Sequence, residues 1–407
     1  MVMMIGVMLV GLNGAVANTV VSGVKAESEK KSLGSILATN YFKDIDFVKE
    51  EEMVFGGWDV FYTDAFQAAN YHKIIPFELY KNSEEFLKRL TPLKGYVNEW
   101  DTDEAINSDY SIKMWNLKNF MEAVNMVRKD IEEFKKKNNL ENVVVVYLGL
   151  PLKNRRKLED LNKVCFEDLT MLDGNYLPSS VAYAVGAILE GCPFVDFTPN
   201  LTLQLDFVED LAIKNKVPLA GMDGNTGQTL MKTLIAPMLK IRNFKLIGWY
   251  STNILGNNDG KVLSRPEHKA LKIEDKLSVL EPILGYSDFE HVVDISYYRP
   301  RYDNKEAWDS IDFEGFLGLP MSFKINWLGR DSILAAPLVL DLIKHMDFSR
   351  RNQNYGIQEH LAIYFKHPLR SRYSRSNIPL YKDKLVLSFF DAFNLLLEFY
   401  KKIPIKN

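Results

Sequence analysis

From Ile112 to Leu148 the sequence sets a long amphipathic segment against an all-apolar run, and few architectures accept that pair. Met114, Leu117, Met121, Val124, Val127, Ile131 and Phe134 recur three or four residues apart with Lys, Arg and Glu between them, which predicts a helix over Ile112–Lys137. Asn138–Asn139 end it, and Val143–Leu148 follows without a charged or amide side chain. A strand that apolar is buried on both faces, as parallel strands packed between helices are. The chain therefore reads as α/β, with a doubly wound parallel sheet.

The first residues repeat the pattern. Val2–Val10 is a near-continuous apolar run, followed by Gly11-Leu12-Asn13-Gly14-Ala15-Val16-Ala17 and a helix-compatible stretch from Asn18. A glycine turn feeding a helix lets backbone N–H groups meet a pyrophosphate. This turn is an imperfect copy of the dinucleotide fingerprint, because Asn13 and Val16 stand at its second and third glycine positions. About 20 positions further on, where that fingerprint places an acid for the ribose, the chain reads Lys30, Lys31 and Ser32; the next acidic candidate is Asp59, in Gly56-Gly57-Trp58-Asp59. Met1–Val24 could pass for a signal peptide, but it lacks a basic start, and Gly11, Asn13, Gly14 and Asn18 interrupt it short of a membrane span.

Further along, Ser179–Leu189 is predicted as a helix capped by Ser179 or Ser180, Cys192–Phe197 as a strand, Leu205–Lys214 as a helix and Val217–Ala220 as a strand. That strand spills into the small polar residues of Gly221–Thr229. Val292–Tyr298 and Phe323–Leu328 read as strands. Ile333–Met346 reads as an apolar helix with Asp331 at its N-cap, and Gly356–Lys366 and Leu385–Tyr400 as closing helices.

Composition removes several function classes. A net charge of −3 gives no overall attraction to nucleic acid or an anionic membrane. The short basic-aromatic stretch from Arg370 to Lys384 reads as a surface or subunit contact. Cys165 and Cys192 are too few for a disulfide framework and fit a reducing cytoplasm. The six histidines show no metal-ligand spacing, so a built-in zinc site is not expected.

Ile247–Lys276 is the stretch where chemistry concentrates. An apolar approach (Leu246, Ile247, Trp249) breaks into Ser251, Thr252, Asn253, Asn257, Asn258 and Asp259, with Gly256 and Gly260, and then runs to Lys272 and Lys276, which share a face if helical. So many polar groups make a poor core strand unless each finds a buried partner, and a loop is expected. Two readings stand at this point: an Asn-Asp-Gly turn with a solvated lysine face, or a functional loop.

Ser251-Thr252-Asn253-Ile254-Leu255-Gly256-Asn257-Asn258-Asp259-Gly260 closely resembles the SYNHLGNNDG signature of the myo-inositol-1-phosphate synthase family. Gly227-Gln228-Thr229 with Lys232 resembles its SGQT segment, and Gly56-Gly57-Trp58-Asp59 its GGWD. Asp303-Asn304-Lys305 is similar to its GDSK, Asp331-Ser332-Ile333-Leu334-Ala335 to its EDSLLA, and Phe365-Lys366-His367-Pro368-Leu369 to its LKAPL. These motifs fall in family order across almost the whole chain.

The resemblance implies a Rossmann-like NAD-binding domain over 1–227, an inserted mixed-sheet catalytic and tetramerisation domain over 228–329, and C-terminal helices over 330–407 that return to the first domain. It implies NAD-dependent conversion of glucose 6-phosphate to inositol phosphate through oxidation at C5, enolisation, aldol closure and reduction. Carried over residue by residue, the catalytic set is Lys272, Lys276, Lys305 and Lys366, steered by Asp259 and Asp331. Asn253, Leu255 and Asn257 would line the sugar phosphate. Gly11, Asn13, Gly14 and Ala15 would meet the pyrophosphate of NAD, Asp59 its adenosine ribose and Asp223 its nicotinamide end, with Thr226 also among the cofactor-binding residues. The implied assembly is a cytoplasmic homotetramer without nucleic-acid or membrane partners. A monovalent or divalent cation is compatible with the Asp and Asn oxygens, although lysines can supply the same charge. The chain departs from the family at Met222, where an acid is usual, at Asn225 and Thr226, which replace Lys and Ser, and in a shorter stretch after Leu148. A same-fold enzyme for another sugar phosphate and a non-catalytic NAD-binding homologue are the alternatives.

Overall fold

The structure is a computed structural model describing residues 4–109, 117–149, 152–153, 156–257, 260, 279–374, 380–381, 384–385 and 387–402. The chain divides into two compact units. The first is chiefly Met1–Gly224 with Ala335–Ser374, the second chiefly Asn225–Leu334 with Arg375–Ile403.

In the first unit, β1 (Ile5–Val10), β2 (Met53–Asp59), β3 (Leu93–Lys94), β4 (Val143–Tyr147), β5 (Phe194–Asp196), β6 (Pro218–Gly221) and a late strand, Gly356–Ile357, form one seven-stranded sheet. Every pairing in it is parallel. From one edge the order is β3-β2-β1-β4-β5-β6, then the late strand, so the chain reverses its direction of travel between β1 and β4. Ligands of open α/β sheets lie outside the strand ends at that reversal. The apolar runs justify the burial: β1 and β4 are buried along their whole length, and each such Val or Leu stabilises by roughly 1.5–3 kcal/mol. The helices Phe120–Asn138 and Ser179–Leu189 pack into the same core through Val124, Val127, Ile131, Val181 and Val185.

The second unit holds β7 (Lys245–Leu255), β8 (Glu290–Tyr297), β9 (Asn304–Glu314) and β10 (Pro320–Arg330), in the order β10-β9-β7-β8. β7 and β8 are parallel while β9 pairs antiparallel with both of its neighbours, which makes this sheet mixed. The helices Gln228–Ile241 and Leu280–Leu284 cover one face, where Ala236, Leu239, Leu280 and Ile283 meet Trp249, Ile311 and Phe313.

Several local expectations need correction. Ser251 through Leu255 continue β7 instead of forming a loop. They tolerate burial because Ser251 and Asn253 have partners on neighbouring elements. The amphipathic helix begins at Phe120, where the Asn119 side chain accepts the Glu122 N–H; 110–116, including Met114, lie outside the described residues. The Ser179–Leu189 helix starts after Pro178 without a side-chain cap, since the Ser179 hydroxyl donates to Asp101. Gly356–Lys366 is not an α-helix: Gly356 takes a positive φ, Gly356–Ile357 joins the sheet, and Glu359–Tyr364 is a 3-10 turn. The last helix runs from Phe389 to Lys401, because Lys384–Leu385 pairs with Leu380–Tyr381 as a short hairpin. Among the described residues, no helix is long and apolar enough to cross a membrane.

Candidate active site

The loop leaving β1 is tied down first by backbone. The N–H groups of Gly11 and Leu12 both donate to the Trp58 carbonyl, at 2.8 and 3.0 Å, and Gly14 N–H donates to the Gly11 carbonyl at 2.9 Å. Gly11 adopts φ +86°, where an added Cβ would stand 3.2 Å from the Leu148 carbonyl oxygen. Gly14 then caps the Ala15–Lys25 helix without a side-chain acceptor, and no acid occupies the first turn. The helix start therefore presents unsatisfied N–H groups and the positive end of its dipole, the features that hold a pyrophosphate.

Asp59, at the end of β2, braces that loop from beneath. Its Oδ2 accepts the Asn13 N–H at 2.8 Å, and its Oδ1 accepts the N–H groups of Val60 and Phe61. Burial pushes its carboxyl upward in pKa, and these backbone donors pull the other way. A carboxylate has about four acceptor positions, so three donors leave room for a ribose hydroxyl on Oδ2. The Asn13 amide donates to the Thr63 carbonyl at 2.6 Å and to the Thr63 hydroxyl at 3.0 Å. Asn13 and Asp59 thus shape the cradle, while Gly11, Gly14 and Ala15 line it. The residues fit a dinucleotide.

Two acids mark the ends of β5 and β6: Asp196 is the last residue of β5, and Asp223 lies two residues past β6. Asp223 takes a left-handed backbone conformation at φ +59°. Its Oδ1 accepts the Lys366 ammonium at 2.8 Å, and the Lys366 N–H donates to the Asp223 carbonyl at 2.7 Å. A bridge between Gly224 and Phe365 holds the two segments in register. Asp196, fully buried, was not singled out from the sequence. Burial pushes its carboxyl up to about 7, the Thr198 hydroxyl and N–H oppose that shift, and the charge of Asp223 adds to it. An acid ending a short apolar strand was the signal available.

The second unit gathers the remaining described candidates. Lys305 is the second residue of β9, with its Nζ 3.3 Å from Asp331 Oδ1. The same oxygen accepts the Thr226 hydroxyl at 3.2 Å, which places Thr226 on the acid that steers Lys305. Asp331 is the first residue of the Asp331–Arg351 helix, so its carboxylate is engaged as a partner for an amine and is more than a cap. Asp303 backs this corner, accepting the Ser332 hydroxyl at 2.8 Å, and burial raises its pKa. Strand register puts Lys305 opposite Leu255, and Ala307 opposite Asn253. Because side chains alternate along a strand, Lys305, Leu255 and Asn253 share the face of the sheet that carries Trp249 and Ile311. Asn257, just past β7, accepts the Gly260 N–H at 2.9 Å.

On that face, Lys232 is completely buried with its Nζ 2.7 Å from His291 Nε2. Burial pulls its amine down to about 7 against the attraction of Asp309. Lys272, Lys276 and Asp259 lie outside the described residues. Among the described residues, no three His, Cys, Asp or Glu side chains converge as a metal site.

The sequence matches the profile of the myo-inositol-1-phosphate synthase family over residues 5–387. The chain belongs to that family. Inositol-3-phosphate synthase 1 of Bacteroides thetaiotaomicron is 38% identical over 395 residues, spanning 90% of this chain and 89% of its own. The inositol-3-phosphate synthase of Brassica napus is 28% identical, spanning 91% and 79%. In structure, the chain is similar to inositol-3-phosphate synthase from Caenorhabditis elegans, with a TM-score of 0.85 at 23% identity over all of this chain and 90% of that one. As a member of the myo-inositol-1-phosphate synthase family it is an NAD-dependent isomerase. Of its departures, Met222 accepts a contact from the Gln204 amide at 2.9 Å, and Thr226 supplies the hydroxyl on Asp331.

Proposed function

We propose that the chain converts D-glucose 6-phosphate to 1L-myo-inositol 1-phosphate, with Lys305 and Lys366 each acting as an ammonium group oriented by its own carboxylate. The observation that carries this reading is the pairing itself: Lys305 with Asp331, and Lys366 with Asp223, both largely buried. A cation partly removed from water and aimed by a fixed acid stabilises developing negative oxygen far better than a solvated one. Bound NAD would take up a hydride and later return it. The chain's own residues would do the rest: amines of Lys272, Lys276, Lys305 and Lys366 hold the phosphate and the oxyanions of enolisation and ring closure, with Asp331 orienting Lys305, Asp223 orienting Lys366 and Asp259 steering its neighbours. Asn253 and Leu255 would line the sugar, and Gly11, Gly14 and Ala15 would receive the pyrophosphate. With added NAD and no reductant, glucose 6-phosphate is expected to give a carbocyclic phosphate ester that periodate breaks down with release of inorganic phosphate, because cleavage of its diols leaves the ester carbon between two aldehydes. A phosphate ester that survives periodate, as that of unchanged substrate does, would sink the assignment.

A homotetramer, or at least an oligomer, is part of the same reading. The face of the second sheet away from its helices exposes Val292, Tyr250, Trp308 and Leu328 on neighbouring strands, and the edge strand β10 is exposed at most of its positions. Apolar sheet faces and long open edges of this kind mark association surfaces. Light scattering is expected to give a multiple of the 46.8 kDa chain mass, and a monomeric mass would overturn the proposal.

A further inference from the structure

We propose that Asp309 and Gln228 are positioning residues that fix which way the Asn253 amide points, so that Asn253 offers its carbonyl oxygen to a hydroxyl of the substrate. This rests on the reading that Asn253 lines the sugar-phosphate site.

The three residues form a relay inside the second unit, all of them buried. Asp309 Oδ1 accepts the Trp249 indole N–H at 2.7 Å and the Ser251 hydroxyl at 2.6 Å. An indole nitrogen can only donate and a carboxylate can only accept, so this end of the relay has no alternative polarity. The Gln228 Nε2 donates to both Asp309 oxygens, at 3.1 and 3.0 Å. Turning the Gln228 amide over would set its carbonyl against the carboxylate, two acceptors with no proton between them. The Gln228 Oε1 must therefore face the other way, where it accepts the Asn253 Nδ2. That contact in turn fixes the Asn253 amide and commits its Oδ1. Among the described residues, Asn253 Oδ1 has no hydrogen-bond partner although Asn253 is fully buried. A buried acceptor left open is costly unless a ligand supplies the donor. The shared face with Lys305 and Leu255 gives that donor's identity: a sugar hydroxyl, not a phosphate oxygen, because only the hydroxyl carries a proton.

The relay makes a prediction that ordinary packing does not. Asp309→Asn lets the amides of residues 309, 228 and 253 turn over together, whereas Gln228→Glu sets two carboxylates against each other. In the double variant the charge has moved one link along. Asn at 309 still accepts from Trp249 and Ser251 and donates to Glu at 228, which accepts from Asn253, so Asn253 keeps its direction. With NAD present, Asp309→Asn is expected to lower kcat/KM for glucose 6-phosphate about tenfold, chiefly through KM, the equivalent of one net hydrogen bond. Gln228→Glu is expected to lose more, and the double variant to recover most of the loss along with its thermal midpoint. If Gln228→Glu alone does not fold, Asp309→Asn and the double variant still make the comparison. A double variant no better than its worse parent in both KM and thermal midpoint overturns the relay. Recovery of the midpoint without recovery of KM overturns the substrate contact and leaves a purely structural network. A wild-type enzyme inactive on glucose 6-phosphate overturns the functional reading instead, while the midpoints still judge the relay.

Discussion

Replacing Lys305 by methionine is expected to lower turnover by about 10²–10³-fold, the effect of removing one fixed donor from a developing oxyanion. Methionine keeps the unbranched apolar stem and lacks only the terminal amine, so the rest of β9 has no reason to move. What disappears is a charge 3.3 Å from Asp331 at the end of a strand held on both sides, by Leu255 of β7 and Gly329 of β10. The stem also passes Gly227, where an added Cβ would stand 3.4 Å from the Lys305 Nζ, so the loop before the Gln228–Ile241 helix limits where the amine can go. Such confinement is what separates an oriented ammonium from a surface lysine. NAD affinity and thermal midpoint should change little, since the cradle for the dinucleotide lies in residues of the first unit. Steady-state turnover with a parallel NAD titration checks both halves; turnover within a few-fold of wild type would remove Lys305 from the chemistry.

Gly57→Ala is expected to cost more stability than any other single-methyl addition in the first sheet, on the order of 3 kcal/mol or greater. Gly57 lies opposite Leu9 in the β1–β2 pairing, with φ +153°. A Cβ built there would sit 2.0 Å from the Leu9 carbonyl oxygen and 2.7 Å from the Leu9 nitrogen. Both are backbone atoms in a strand buried along its whole length, so neither can rotate aside as a flexible side chain could. The strands must separate, and the glycine turn hangs from this pairing through the Trp58 carbonyl that accepts Gly11 and Leu12. Loss of NAD binding should therefore accompany the loss of stability. Chemical denaturation of the variant, followed by NAD titration of the fraction still folded, measures the two effects separately. A variant as stable as wild type would mean that β1 and β2 do not approach so closely.

How much of this was legible in the sequence depended on how local the physics was. β1, β4 and β6 declared themselves because strands buried on both faces need unbroken apolar runs, and Val143–Tyr147 can be little else. The glycine turn and Asp59 were legible as residue types, but the brace from Asp59 to the Asn13 N–H was not, since it joins positions 46 apart. The stretch around Ser251 and Asn253 misled for the same reason. Its polar groups look unsuited to a buried strand until Asp309 and Gln228 are placed beside them, and those partners are 58 and 25 residues away. β9 itself was hidden because Glu306, Asp309 and Asp312 fall every third residue and break the period-two alternation by which a half-buried strand is recognised. Gly356–Lys366 carries an apolar helical spacing, yet the Gln358 amide bonds back to the Gly356 carbonyl and diverts the chain into the sheet. The role of Asp331 beside the amines was legible only through family motifs, and the Lys366–Asp223 pair was not legible at all, because no spacing rule links residues 143 apart.

The most direct test of the central claim, that oriented amines beside bound NAD drive a redox-neutral ring closure, uses glucose 6-phosphate deuterated at C5. Incubated with the NAD-bound protein and no reductant, the substrate should yield an inositol phosphate that retains the deuterium on a ring carbon, with no net accumulation of reduced cofactor. Deuterium lost to the free cofactor pool or to water, or a labelled substrate left unconverted by NAD-saturated protein, would contradict the account.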